Sequence, residues 1–185
     1  MPAPYSELID TLPHVAAQPS LRDDSAGFSY VEDPDEVFVM PLLLKAGDGA
    51  AAPSLILVEA RAAVGKSMLA RHLAWATRAP LWDLSQVYVG SGTLWGSLAK
   101  AFGPMELNRI IGQTLTGDFA LIVDALDEAE MHAVGEAFDA FLLELRDMFA
   151  APRPAPGVVI LGRTETVDYI ELFLGGQVPA QCQRL

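Results

Sequence analysis

The chain has 185 residues, 51% of them hydrophobic, enough for one domain with a sizeable core and too apolar for disorder over most of its length. Its formal charge of -12, from 24 acidic and 12 basic residues, argues against a general nucleic-acid binder, which draws on Lys and Arg to displace counterions. A single cysteine, Cys182, excludes an intramolecular disulfide and suits a reducing, cytoplasmic setting.

In chain order, residues 1–52 read as an N-terminal extension and linker, rich in Pro, Asp and Ser. The opening residues have no basic segment followed by a long apolar one, so no signal peptide is expected. "YSELIDTL" suits a short helix, "DEVFVMPLLL" a strand at the edge of the core, and "KAGDGAAAP" a loop. No apolar stretch reaches the roughly 18 residues of a membrane helix, so no membrane partner is expected.

The core is assigned to residues 53–185. "SLILVE" is an unbroken apolar run, the mark of a strand buried on both faces. "GKSMLARHLAWATRA" has helical spacing, with Met68, Leu69, His72, Leu73 and Trp75 available for a buried side. "LWDLSQVYV" predicts a second strand. "TLWGSLAKAF" and "PMELNRIIGQTL" predict helices, the second with Pro in its first turn. "DFALIVDALDE" is the strongest strand pattern, and "AVGEAFDAFLLELRDMF" follows as an amphipathic helix. "PGVVILGR" predicts a fourth strand, "VDYIELFL" a short helix and "AQCQRL" a fifth strand. The alternation predicts an α/β fold, a three-layer sandwich around a mostly parallel sheet. In such sheets ligands lie at the carboxyl ends of the strands. Three chemically loaded segments fall at those ends: residues 60–67, 124–128 and 162–164.

The first segment fits the phosphate-loop pattern G-x-x-x-x-G-K-[ST], with Ala60 in place of the first glycine. Backbone N–H groups of such a loop surround phosphate oxygens at a helix N-terminus. The candidate nucleotide-binding residues are Ala60, Arg61, Ala62, Ala63, Val64, Gly65, Lys66, Ser67 and Met68. Lys66 would reach the outer phosphates, and the Ser67 hydroxyl would ligate Mg²⁺. Ala60 and Ala63 stand where glycine is common, and alanine tolerates positive φ poorly. Gly65, just before the lysine, is retained.

The second segment ends a buried strand with Asp124, followed by Asp127 and Glu128. A carboxylate at the strand tip can hold Mg²⁺ through water, because the ion prefers oxygen ligands and keeps several waters. Asp124 fits that role. A second carboxylate can orient or deprotonate the water that attacks a terminal phosphate. Glu128 is the first choice for it and Asp127 the competitor. Glu130 suits an acid placed at a helix start.

With the loop, "LIVDALDE" and "VVILGRTE" in this order, the chain resembles the STAND-class P-loop NTPases, most closely their NACHT-like branch. The resemblance covers about residues 54–185. It implies ATP/ADP and Mg²⁺ as ligands, and Arg163 as the arginine that senses the terminal phosphate. The guanine-specifying pattern Asn-Lys-x-Asp is absent, which favours adenine. Members of that family normally continue past the fifth strand into a helical lid and a winged-helix region. On that comparison a fragment is expected in preference to a minimal module, and a lone core is expected to bind nucleotide weakly and hydrolyse it slowly.

Three functions compete. The first is an ATP-driven signalling switch whose nucleotide state controls self-association or engagement of protein partners, in microbial immunity or defence by resemblance alone. The second is a small-molecule P-loop kinase, which "TETVDYIELFLGG" disfavours because it holds no basic residue for a lid. The third is an interaction module that keeps the fold without hydrolysis.

Overall fold

The computed structural model describes residues 2–23, 26–33, 42–44, 54–59, 61, 65–149, 155–175 and 182–184. In chain order its elements are β1 (Pro2–Pro4), α1 (Tyr5–Thr11), β2 (Phe28–Ser29), β3 (Leu42–Leu44), β4 (Leu55–Glu59), α2 (Lys66–Thr77), β5 (Leu81–Asp83) and α3 (Thr93–Phe102). They continue with α4 (Pro104–Thr116), β6 (Leu121–Asp124), α5 (Leu126–His132), α6 (Ala137–Phe149), β7 (Val158–Gly162), α7 (Thr164–Gly175) and β8 (Cys182–Arg184). Six strands form one sheet in the order β2-β5-β6-β7-β4-β8. Its pairings are parallel except β2 with β5. The fold is therefore α/β with a mostly parallel sheet covered on both faces.

Period-two alternation builds two cores from the same strands. Leu57, Trp82, Leu121, Val123, Val158 and Ile160 face one side, where α3, α4, α6 and α7 pack on them. Ile56, Val58, Leu81, Ile122, Val159 and Leu161 face the other, covered by α2 and α1. Crossover direction explains this division. The chain runs one way along the sheet from β4 to β5, then back through β6 and β7 and past β4 to β8. Right-handed crossovers in opposite directions lay their helices on opposite faces. One connection therefore supplies one face, and α1 completes that cover with Tyr5, Leu8 and Leu12.

Residues before Ser54 thus contribute to both cores. Ala26 and Phe28 join the far one, where Phe28 stacks on Trp82 at a ring separation of 4.8 Å. Of the segment "DEVFVMPLLL", Leu42–Leu44 forms β3, which pairs with β1 in a separate two-stranded sheet. Residues 34–41 lie outside the described residues.

Several elements differ from expectation. The buried face of α2 is Leu69, Ala70, Leu73, Ala74 and Thr77. Small Ala70 and Ala74 let the helix approach the sheet, while Trp75 stands 43% exposed on another side. Trp75 meets His72 edge-on, and His72 in turn meets Tyr5 of α1, each at 5.3 Å between rings. The strand expected over "LWDLSQVYV" is confined to three residues, because Ser85 turns back to the Asp83 carboxylate at 2.9 Å. The acidic segment after β6 forms the short helix α5, so the amphipathic helix begins only at Ala137.

Candidate functional site

Three strand ends converge. β4 leads toward α2, β6 leads into α5, and β7 ends beside Arg163, with β7 lying between the other two strands. β4 and β7 are neighbours whose following helices lie on opposite faces, which is where an open α/β sheet offers a crevice. An open cavity of about 260 Å³ occupies it. Gly65, Lys66, Ser67, Met68, Asp124, Ala125, Asp127, Glu128 and Arg163 line the cavity. Of the nine residues proposed for the nucleotide, four line this cavity and Arg61 is exposed. Ala60, Ala62, Ala63 and Val64 lie outside the described residues.

Gly65 enters α2 at φ 89° and ψ 28°, a left-handed conformation that glycine adopts without strain. Gly65, at the N-cap, has no side chain to cap the helix, so that position offers the first-turn N–H groups no side-chain acceptor. Lys66, the first helical residue, carries its cation to the cavity. At β6 the reversal uses Ala125, a non-glycine residue at φ 60°. The Glu128 N–H closes the turn on the Ala125 carbonyl at 3.0 Å. This tight reversal brings the strand-tip acid and the first helical acids to one place.

The carboxylates are not equivalent. Asp127 is buried, and its Oδ2 lies 2.7 Å from Arg163 Nε and 3.6 Å from Lys66 Nζ. One oxygen therefore serves two cations, one from the start of α2 and one from the end of β7. Glu128 is exposed at the cavity wall. Asp124 is 6% exposed, and its Oδ1 has no hydrogen-bond partner in the structure. Burial pushes its carboxyl above the ordinary range, while hydrogen bonds from the Ser67 side chain and the Ala125 backbone oppose that shift. The Asp83 charge adds to the rise and Lys66 subtracts from it. Asp83 is the register partner of Asp124 on β5.

Two threonines fix the arginine segment, and the sequence assigned neither of them a role. Thr164 donates to Glu59 Oε1 at 2.6 Å, tying the start of α7 to the end of β4. Thr166 donates to Glu130 Oε2 at 2.6 Å, tying the same turn to α5. Glu130, expected only as a helix-end acid, is thus a tertiary acceptor. The alternating Thr-Glu-Thr beside Arg163 was a local signal, but no local pattern names partners so far along the chain.

Asp124 and Ser67 fit Mg²⁺ by chemistry, since they supply hard oxygens, one of them a buried carboxylate oxygen without a protein partner. Among the described residues no group of three or more His, Cys, Asp or Glu could cage a metal ion. Such an ion would therefore complete its shell with water and substrate oxygens, as Mg²⁺ commonly does. A second cavity of about 230 Å³, with Gln86, Tyr88, Ser97 and Lys100 among its walls, shares no residue with the first. Among the described residues no helix is long and apolar enough to cross a membrane. No family model matches the chain, and neither a curated protein nor a solved structure matches it significantly.

Proposed function

We propose that the chain is the ATP-binding and ATP-hydrolysing core of a cytoplasmic switch of the STAND, NACHT-like kind, built on a P-loop sheet. One observation carries this reading: residues 65–68, Asp124, Asp127, Glu128 and Arg163, distant in sequence, line one cavity at the carboxyl ends of parallel strands. Lys66 and the first-turn N–H groups of α2 bind phosphate oxygens. The lining holds three carboxylates against two cations, so a polyphosphate needs further positive charge there. Asp124 and Ser67 would hold a Mg²⁺ ion, whose chemistry is to neutralise charge on the phosphates. Glu128, exposed at the wall, accepts a proton from the attacking water. Arg163 stabilises charge on the terminal phosphate. Protein partners or self-association would read the nucleotide state.

The alternative is a non-hydrolysing module of the same fold. Its support is that Asp127 already pairs with both Lys66 and Arg163.

The test is calorimetry of ATP and ADP with Mg²⁺ on the 185-residue chain and on Lys66→Ala. Saturable binding is expected, weakened at least about tenfold by the substitution, the scale of one charge-assisted contact. Absence of binding by the parent chain, or equal binding by both, would remove the phosphate role of the loop.

A further inference from the structure

We propose that Asp127 is a built-in counter-anion of the phosphate site, which competes with incoming phosphate for Lys66 and Arg163 and restricts the site to polyphosphates. This rests on reading the cavity as a phosphate site.

Among the described residues, Lys66 and Arg163 are the cations that line the cavity. Both are engaged by the same oxygen, Asp127 Oδ2, at 3.6 and 2.7 Å. The Asp127 side chain is 8% exposed, whereas Glu128, the next residue, faces outward. The buried carboxylate thus stands where a phosphate oxygen would have to stand to meet both cations. A close charge-assisted pair is stronger than a neutral hydrogen bond, so it is not displaced without a better partner. Inorganic phosphate offers little more than the carboxylate does, and it would enter beside Asp124 and Glu128 as well. A polyphosphate has further oxygens for the first-turn N–H groups of α2 while its end takes the cations. Its arrival then releases the Asp127 carboxylate.

The role predicts a larger gain at Asp127 than at the other carboxylates of the wall. Without Mg²⁺, loss of any wall carboxylate eases the approach of an anion. Loss of Asp127 also frees two neighbouring cations from their shared partner, so Asp127→Asn should gain more affinity than Glu128→Gln.

The experiment uses the 185-residue chain, Asp127→Asn and Glu128→Gln without Mg²⁺, titrated with tripolyphosphate and with inorganic phosphate by calorimetry and thermal shift. Asp127→Asn should bind tripolyphosphate at least about tenfold tighter than the parent, the scale of one hydrogen bond to a charged group. It should also acquire affinity for inorganic phosphate, and each ligand should raise its Tm more than the parent's. Equal or weaker binding by Asp127→Asn, or a gain no larger than that of Glu128→Gln, overturns the proposal. Tripolyphosphate binding without ATP or ADP binding would sink the nucleotide reading, while the gain at Asp127 would still decide the proposal. If none of the proteins binds any phosphate, both readings fall. Should Asp127→Asn fail to fold, the Arg163 Nε–H resonance of the unaltered chain carries the test. It should shift on addition of tripolyphosphate, and a signal that stays in place overturns the proposal.

Discussion

Thr164, the first residue of α7 and the neighbour of Arg163, donates its hydroxyl to Glu59 at the end of β4, at 2.6 Å. Thr164→Val keeps the shape and removes the donor. The loss should be about 1.5–3 kcal/mol, the range for a hydrogen bond to a charged group. Thr164→Ser should restore it. Urea unfolding with an unchanged m-value reads the difference. Equal midpoints for Val and parent would mean the link adds no stability.

Glu128→Gln separates turnover from binding. Loss of a general base lowers rate by about 10²–10⁴-fold, while affinity for ATP should stay within a few-fold. Phosphate release and calorimetry on the same preparations check this. A matching loss of both would mark Glu128 as a binding residue, and no turnover in the parent would favour the non-hydrolysing module.

Asp124 should cost the folded chain stability at neutral pH. Burial holds its folded carboxyl above the ordinary value of 3.8, so the folded state binds that proton more tightly than the unfolded chain does. Its contribution is therefore most favourable in acid and declines as pH rises from 3.8 through the raised folded value. Asp124→Asn should melt above the parent at neutral pH, and the gap should close on stepwise acidification. The same variant should lose Mg²⁺-dependent nucleotide binding. A gap that is constant with pH would assign the gain to packing.

Two glycines should respond differently to alanine. At Gly65 no atom of the described residues lies within 4 Å of an added Cβ, and the left-handed φ of 89° is what opposes it. The cost there should be about 1–2 kcal/mol. At Gly27, φ is 85° and the new Cβ would lie 2.5 Å from the Asp83 carbonyl oxygen. Because Gly27 also accepts the Asp83 N–H at 2.9 Å, the β2–β5 edge must shift. Denaturant midpoints should fall further for Gly27→Ala. The reverse order would mean the edge yields easily.

Much of the sheet was legible because its strands are unbroken apolar runs. "LIVD" and "VVILG" became β6 and β7 with every residue buried, and their polar ends fell where site chemistry was sought. The antiparallel edge escaped notice because β2 has two residues, too few for a periodic signal. Trp75 misled because it is large and apolar, whereas the sheet accepts α2 through Ala70 and Ala74. At the site, residue types at strand ends identified Lys66, Ser67, Asp124 and Arg163 as candidates that line one cavity. What remained hidden was pairing. The acids at 127 and 128 are neighbours in the chain, yet one turns inward between two cations and the other toward water. Helix geometry about a left-handed Ala125 decides that, and no spacing rule contains it.

The contact between Tyr5 and His72 has a mechanical consequence. His72 lies six positions beyond Lys66 on α2, a distance of about 9 Å at helical rise. The first helix of the chain thus rests on a short rigid rod whose other end carries the candidate phosphate lysine. The Tyr5 contact and the candidate phosphate lysine therefore stand on one continuous helix, separated by less than two turns.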